Sequence, residues 1–477
     1  MINLRDYQRD LIRDIHQAFK SGSTAVLAQA PTGAGKTVIF SYITNGAMQQ
    51  SNKTCILVHR QELICQTALA LAKFGIPHNI IAPQSVIKTA AQIQYKEFGR
   101  NYIDFNSPCI VASVQTLGRR LDEYKNYFRF IITDECHHAV AGQWRSITDA
   151  NPHAYLLGLT ATPERLDGKG LGVECGGVYQ TLVLGPTVKS LIEKGYLSQP
   201  RVFAPPIDFN SDNLKTIAGD YDVKQMAEML DRPQIIGDAV KHYAKICPNM
   251  PAIAFCATIE HAQHTAEQFC QAGFKFKSID GTMSDFDRRD AIDGLACGRY
   301  DGLTSCNIIS EGTDIPVVGC AIFLRKTKSL GLYLQQAGRV LRPYSGKKYS
   351  IILDHVRNVE MHGFPEDDRD WSLEGRKKRN RQDGEQLFVR TCLNCYACYS
   401  SKLKACPVCG CENSTKTRQE IEYIDAELLE IKRQERTEER KHAYAFSQLL
   451  EIGKRRGYKN PYAWAKIVLN SRKKGKK

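Results

Sequence analysis

The sequence predicts an α/β protein of two successive parallel-sheet lobes, followed by a small cysteine-bound ribbon and a basic helical tail. Three observations lead there. Short apolar runs alternate with helical patterns: "CILVHR", "CIVAS", "RFIIT" and "LLGLTAT" in the first half, "AIAFCA", "GLTSC", "CAIFLR" and "SIILD" in the second. Such alternation reads as parallel sheets with helices on both faces. Six of the 17 cysteines crowd into residues 392–411, whereas the other eleven are scattered singly before residue 321. Finally, the charge is lopsided: residues 371–477 carry 25 Lys/Arg against 13 Asp/Glu, so +12 of the formal +14 lies there.

A chain of 477 residues with 43% hydrophobic content suits two to four globular domains. Its first twenty residues ("LRDYQRDLIRDIHQAF") are amphipathic and charged, unlike a signal peptide, and no apolar run approaches the roughly 18 residues of a membrane span. The expectation is a cytoplasmic protein of a bacterial or phage-infected cell, nucleoid-associated and without a membrane partner. An odd cysteine count without an export signal reads as reduced thiols.

In "LAQAPTGAGKTVIF" an apolar run precedes Pro31, Thr32, Gly33, Ala34, Gly35, Lys36 and Thr37, and a helical segment follows. Strand, glycine-rich loop and helix together make a phosphate cradle. Small residues let successive backbone N–H groups wrap phosphates, Lys36 reaches the outer phosphates, and Thr37 can hold Mg²⁺. Ala30 stands where the pattern has Gly. The loop implies ATP as the ligand.

"IITDECHHAV" sets Asp134, Glu135, Cys136, His137 and His138 in five consecutive positions. Neighbouring residues on a strand diverge, so they cannot converge on one ion, and the i, i+4 histidine spacing of a helical metal site is absent. A β-rich run ending in acids instead suits the carboxyl end of a buried parallel strand, where ligands collect. In a P-loop ATPase such an acid completes the Mg²⁺ shell and its neighbour orients the attacking water. Asp134 is accordingly assigned to the metal and Glu135 to the water.

From Tyr7 to Pro343 the sequence resembles the superfamily 2 helicases and translocases, whose motifs occur here in family order. "LRDYQRD" is similar to the adenine-contacting motif, which implies Arg5 and Gln8 on the nucleotide. "APTGAGKT" matches motif I, "LVHRQEL" Ia and "ASVQTL" Ib, implying nucleic-acid contacts at Arg60 and Thr116. "DECH" is motif II and "LTATP" motif III, implying coupling roles for His137, Thr160 and Thr162. "AIAFCATIEHA" resembles motif IV, with Thr258 on the nucleic acid. "TSCNIISEGTDIP" matches motif V, with Gly312 and Asp314 on the nucleotide, and "QQAGRVLRP" motif VI. The resemblance makes Gln335, Arg339 and Arg342 catalytic, the arginines as fingers entering from the second lobe. It also implies RecA-like lobes at residues 1–195 and 196–370. The opening, the "TATPERLDG" segment and the cysteine-rich tail are most like the RadD-like repair ATPases and related phage or prophage helicases, with looser kinship to the XPB and restriction-motor branch. The DEAD-box RNA branch fits less well, because "DECH" and "TAT" replace its "DEAD" and "SAT".

After a basic linker at 371–387 ("GRKKRNR"), residues 388–415 hold Cys392-x-x-Cys395 and, ten residues on, Cys406-x-x-Cys409 followed by Gly410. Two such knuckles supply four thiolates for a tetrahedral structural Zn²⁺. Cys398 could replace Cys392, Cys411 is surplus, and an iron–sulfur cluster is the alternative occupant. In the tail, 416–477, Tyr458, Tyr462 and Trp464 interleave with Lys and Arg, which suits either nucleic-acid stacking or a small helical core. The whole reads as an ATP-dependent DNA helicase or translocase acting on duplex, forked or single-stranded DNA, in repair, recombination or phage replication. The alternatives are an RNA helicase, and an ATP-switched adaptor whose tail recruits a repair or single-strand-binding protein.

Overall fold

The computed structural model describes residues 3–136, 142–165, 169–205, 214–217, 219–231, 233–306, 315, 317–375, 389–412, 446–455, 462 and 465–466. The chain divides into a unit at Met1–Cys409 and another at Gly410–Lys477.

The apolar runs of the first half become seven strands: β1 (Ala25–Gln29), β2 (Thr54–Val58), β3 (Asn79–Ile81), β4 (Cys109–Ser113), β5 (Phe130–Asp134), β6 (Tyr155–Thr160) and β7 (Thr181–Leu184). They form one parallel sheet in the order β3-β4-β2-β5-β6-β1-β7. Every residue of β1, β2 and β4 is buried. A parallel strand covered by helices on both faces needs apolar side chains on both, which is why these strands read as continuous runs and not as alternation. The helices Asp6–Lys20, Lys36–Gln49 and Gln61–Lys73 supply Leu11, Ile15, Ile39, Phe40 and Ile64 to the core.

The second half repeats the plan. Strands β8 (Pro200–Phe203), β11 (Ala252–Phe255), β12 (Phe276–Ile279), β13 (Gly302–Ser305), β14 (Cys320–Phe323) and β15 (Ser350–Asp354) make a six-stranded parallel sheet in the order β12-β13-β11-β14-β15-β8. Between β8 and β11 lies a two-stranded antiparallel hairpin, β9 (Thr216–Ile217) and β10 (Asp220–Tyr221). Phe255, Phe323, Tyr333 and Ile352 anchor the core.

Two segments tie the C-terminal part of this unit to the lobes. Leu373 inserts into the cluster of Leu27, Leu171 and Tyr179 of the first lobe, and its carbonyl accepts the Gly172 N–H at 2.9 Å. A Cβ on Gly170 would stand 1.8 Å from that same carbonyl, so only glycine permits the approach. The expected linker at 371–387 thus begins as a strap on the first lobe; residues 376–388 lie outside the described residues.

The second segment is the ribbon, whose strands β16 (Val389–Thr391) and β17 (Cys398–Ser400) pair antiparallel. It docks on β8, the outermost strand of the second sheet. Ala204 N–H donates to the Tyr396 carbonyl at 3.0 Å, Phe203 bridges Ala397, and Cys398 enters the second-lobe core. The ribbon thereby covers an edge that would otherwise present unpaired backbone groups.

In the second unit the described residues include the helix Phe446–Arg455, with Leu449 buried, and an exposed Tyr462. Tyr458 and Trp464 lie outside the described residues. Among the described residues no helix is long and apolar enough to cross a membrane.

The strap and the ribbon make a stability prediction. A chain ending at Glu412 keeps both, whereas one ending at Asp370 loses the packing of the partly buried Leu373 and the burial of Cys398 and Tyr399. Apolar surface removed from water contributes roughly 25 cal/mol per Å², so the shorter chain should melt several degrees lower in calorimetry. Equal melting temperatures would show that both segments are dispensable appendages.

Candidate functional site

Strands β5, β6 and β1 are neighbours, and their carboxyl ends deliver the parts of one site, as open α/β sheets do. From β1 the chain passes through residues 30–35 straight into the Lys36–Gln49 helix. Gly33 and Gly35 hold φ of +89° and +79°, backbone that residues with a Cβ rarely adopt. A Cβ on Gly35 would also meet Gln8 Nε2 at 2.6 Å. Gly35 is the N-cap and no side chain caps the helix; Val38 N–H bonds the Gly35 carbonyl at 2.9 Å, so it is the Lys36 and Thr37 N–H groups that suit an anion. Lys36 Nζ reaches back to 3.5 Å from the Ala30 carbonyl. The methyl of Ala30, the departure from the usual glycine, is buried in the first-lobe core.

Asp134 closes β5. Burial, with Glu135 beside it, pushes its carboxyl up to about 6, and Lys36 pulls the other way. Asp134 is half-buried at the end of its strand, and with the adjacent Glu135 it offers the carboxylate oxygens that suit Mg²⁺. Glu135 N–H donates to Asp134 Oδ1 at 3.0 Å, and Glu135 itself adopts φ +50°. A left-handed conformation is costly for a residue with a side chain and is concentrated at functional sites. Here it accompanies a contact across the cleft: Gln335 Nε2 donates to Glu135 Oε2 at 3.1 Å. At the end of β6 the Thr160 hydroxyl donates to the Thr162 carbonyl (3.0 Å) and accepts the Thr162 N–H (3.1 Å), while Gln29 Nε2 holds the Ala161 carbonyl at 3.0 Å.

The helix Leu330–Val340 of the second lobe lies along all three strand ends. A Cβ on Gly331 would stand 2.9 Å from Thr162 Oγ1, and one on Gly338 would stand 2.4 Å from Thr32 Cβ. Residues 331, 335 and 338 follow i, i+4, i+7 and so share one helical face. That face meets Thr162, Glu135 and Thr32 in turn. Arg339 is 9% exposed, and burial pulls the Arg342 guanidinium below its usual range. Sequence motifs placed these residues in one site; which helical face does the docking is visible only in the assembled lobes.

Gln8 Nε2 and Tyr7 OH both donate to the Ala34 carbonyl, at 3.1 and 2.9 Å, and Gln8 Oε1 accepts the Arg5 N–H at 3.0 Å. The Arg5 guanidinium lies 4.3 Å from the centroid of the Tyr196 ring. Tyr196 went unnoticed in the sequence because a single aromatic between two lobes carries no periodic signal.

Of the residues expected on nucleic acid, Arg60 and Thr116 stand at the carboxyl edge of the first sheet and Thr258 at that of the second. Arg60 stands at the N-cap position of the helix after β2, Thr116 lies in the Val114–Gly118 helix after β4, and Gln115 Nε2 joins the two by donating to the His59 carbonyl at 3.2 Å. Thr258 follows β11, and its hydroxyl accepts the His261 N–H at 3.1 Å as a helix cap. An Arg288–Glu62 ion pair of 2.8 Å spans the lobes next to Arg60. His137, Gly312 and Asp314 lie outside the described residues.

The sulfurs of Cys392, Cys395, Cys406 and Cys409 all lie within 4.8 Å of one another. The Cys392–Cys409 and Cys395–Cys406 separations are 3.6 Å, close to the roughly 3.8 Å edge of a tetrahedron with Zn–S bonds near 2.3 Å. The donor set therefore suits a four-thiolate metal. Cys398 is not among the four. It sits 3.5 Å from Thr391 Oγ1 in the second-lobe core, and burial pushes its thiol up to about 12.

Comparison with known proteins agrees with this geometry. Residues 1–165 match the family described as type III restriction enzyme, res subunit, and residues 238–344 match the helicase conserved C-terminal domain. A 51.5 kDa protein of Lactococcus phage (isolate 7-9) is 31% identical over 405 residues, 84% of this chain and 81% of that protein. The Saccharomyces cerevisiae protein named as ATP-dependent helicase IRC3 is 30% identical over 371 residues, 74% of this chain; the match spans only 51% of the yeast protein. A solved fragment assigned to the HsdR subunit of a type I restriction enzyme from Vibrio vulnificus YJ016 shares the fold with a TM-score of 0.54 at 19% identity, over 76% of this chain and 67% of that one. With motifs I to III on one parallel-sheet lobe and motif VI docked against them from the other, the chain belongs to the superfamily 2 helicases, in the branch of the restriction-enzyme motors and XPB-type translocases, and is an ATPase.

Proposed function

We propose that the chain is an ATP-dependent DNA helicase or translocase that couples hydrolysis to movement on DNA, serving repair, recombination or phage replication. The observation that carries this reading is the Leu330–Val340 helix seated on Thr32, Glu135 and Thr162. Contact of that kind makes the fit between lobes depend on what the nucleotide site holds. DNA is favoured as the track because the family matched by residues 1–165 is named for a restriction enzyme, a DNA-acting class.

In this reading Arg5 and Gln8 hold the base, and the backbone of residues 31–37 with Lys36 holds the phosphates. Thr37 and Asp134 would hold Mg²⁺, which would neutralise charge developing on the phosphates. Glu135 orients the attacking water and accepts its proton, steadied by Gln335. Arg339 and Arg342 enter from the second lobe as fingers, a role worth on the order of 10³ to 10⁵ in rate. Thr160 and Thr162 relay the state of the site to the second lobe, and Arg60, Thr116 and Thr258 grip the nucleic acid. Cys392, Cys395, Cys406 and Cys409 would hold Zn²⁺ and so close the ribbon.

The experiment that tests the function is steady-state ATPase activity titrated with single-stranded, duplex and forked DNA and with RNA. Stimulation by DNA above RNA is expected. Preference for RNA would move the track to RNA, and no stimulation by either would favour an ATP-switched adaptor.

Two substitutions test the roles. Lys36→Ala and Glu135→Gln should both abolish turnover, yet Glu135→Gln should retain ATP, because Glu135 positions water whereas Lys36 holds phosphate. Equilibrium nucleotide binding separates them, and normal hydrolysis by Glu135→Gln would remove it from the water.

The ribbon is tested separately. Replacing Cys406 and Cys409 with Ser should take zinc from about one per chain to none and lower the melting temperature by several degrees, since the ribbon packs on β8. Metal quantification that finds no zinc in the unmodified chain, or finds iron, would overturn the assignment.

A further inference from the structure

The Leu330–Val340 helix must present Arg339 and Arg342 with little positional freedom, because a misplacement near 1 Å can cost about 100-fold in rate. Two charged residues outside the recognised motifs hold its ends. At the start, Asp220 of β10 accepts the Thr327 hydroxyl and the Lys328 N–H, each at 2.7 Å. The Thr327 oxygen in turn accepts the Ser329 N–H at 3.0 Å, and Ser329 Oγ caps the helix by accepting the Leu332 N–H at 3.2 Å. The relay from Asp220 thus runs directly into the first helical turn. Asn358 Oδ1 and His362 Nε2 fix the Thr327 backbone from the other side, at 3.1 and 2.8 Å.

At the other end the Lys347 ammonium donates to three main-chain carbonyls: Val340, Arg342 at 2.8 Å and Val318 at 3.1 Å. The amino group occupies carbonyls that have no partner within the helix, and its protonated form, which burial pulls down to about 7, complements the helix's negative end. One of the three belongs to Arg342 itself, and another lies in the turn leading to β14. Lys347 therefore fastens the backbone of Arg342 to the sheet of its own lobe. Ser350 Oγ adds a bond to the Val340 carbonyl at 2.6 Å.

We infer that Asp220 and Lys347 are positioning residues for ATP hydrolysis, a two-ended clamp that sets where Arg339 and Arg342 meet the transition state. The inference rests on the arginine-finger reading above. It assigns a task to the β9–β10 hairpin, which is otherwise a small excursion between β8 and β11.

The test uses the full chain with Asp220→Ala, Lys347→Gln, Lys347→Arg and Arg342→Ala. Affinity for a non-hydrolysable ATP analogue is compared with affinity for ADP and aluminium fluoride, alongside kcat and KM, with melting curves to confirm folding. Fingers act on the transition state and not on bound ATP. Asp220→Ala and Lys347→Gln should therefore lower kcat and aluminium-fluoride affinity together, by roughly 10- to 100-fold. KM and ATP-analogue affinity should stay within about twofold. Lys347→Arg, which keeps a charged donor, should recover much of the loss, and Lys347→Gln should cost clearly less in the Arg342→Ala background than alone, since only Arg339 is then left to misplace.

Equal losses for both nucleotides, or additive effects with Arg342→Ala, would show a merely structural role and overturn the clamp. Should Lys347→Gln fail to fold, Asp220→Ala decides the matter by the same criteria. If Arg342→Ala loses aluminium-fluoride affinity while both clamp variants keep it, the clamp alone is wrong. If Arg342→Ala keeps that affinity, the finger reading fails and the clamp falls with it.

Discussion

The structure depends on the docking of one helix across the cleft. Gly331, Gln335 and Gly338 share a face of the Leu330–Val340 helix, and that face meets Thr162, Glu135 and Thr32 on three neighbouring strand ends of the other lobe. Two of the three positions are glycine because the helix backbone comes too close for a Cβ; the third supplies the hydrogen bond. Close packing of this kind tolerates little displacement. A change at the phosphate loop or at the acid pair must then be absorbed by a shift of the whole helix, and with it of the arginines.

This constraint organises the first lobe. The order β3-β4-β2-β5-β6-β1-β7 divides its carboxyl edge into two working halves. Strands β5, β6 and β1 carry the acids, the Thr160–Thr162 turn and the phosphate loop, while β2 and β4 carry Arg60 and Thr116. Because β5 pairs with β2, the two halves are adjacent. Asp134 stands at that boundary half-buried, its carboxyl pushed up first by desolvation and then by Glu135, with Lys36 opposing both.

The C-terminal portion of the first unit has a part in this too. The ribbon completes the β8 edge of the second sheet and the strap at Leu373 reaches back to the first. Between them they join the lobes by a route separate from the cleft. The four sulfurs and the docking strand lie within a few residues of each other, so whatever holds the sulfurs together also holds Tyr396, Ala397 and Cys398 against the sheet.

The fold class was legible in the sequence because buried parallel strands need apolar side chains on both faces, which leaves runs such as "CILV" and "FIIT" between helical patterns. The phosphate loop and the acid pair were legible for a related reason. Their chemistry depends on residues adjacent in the chain, and β1 or β5 carries each of them straight to the sheet edge. The cysteine quartet was legible from its spacing, but not the exclusion of Cys398, which turns on whether its strand faces the other sulfurs or the core. Tyr196 beside Arg5, Asp220 beneath Thr327 and Lys347 on the carbonyl of Arg342 had no signal of their own. Each acts on a partner from another element, and such pairings exist only once the chain has folded: local residue order determined which chemical groups this protein possesses, whereas long-range packing decided which of them face one another.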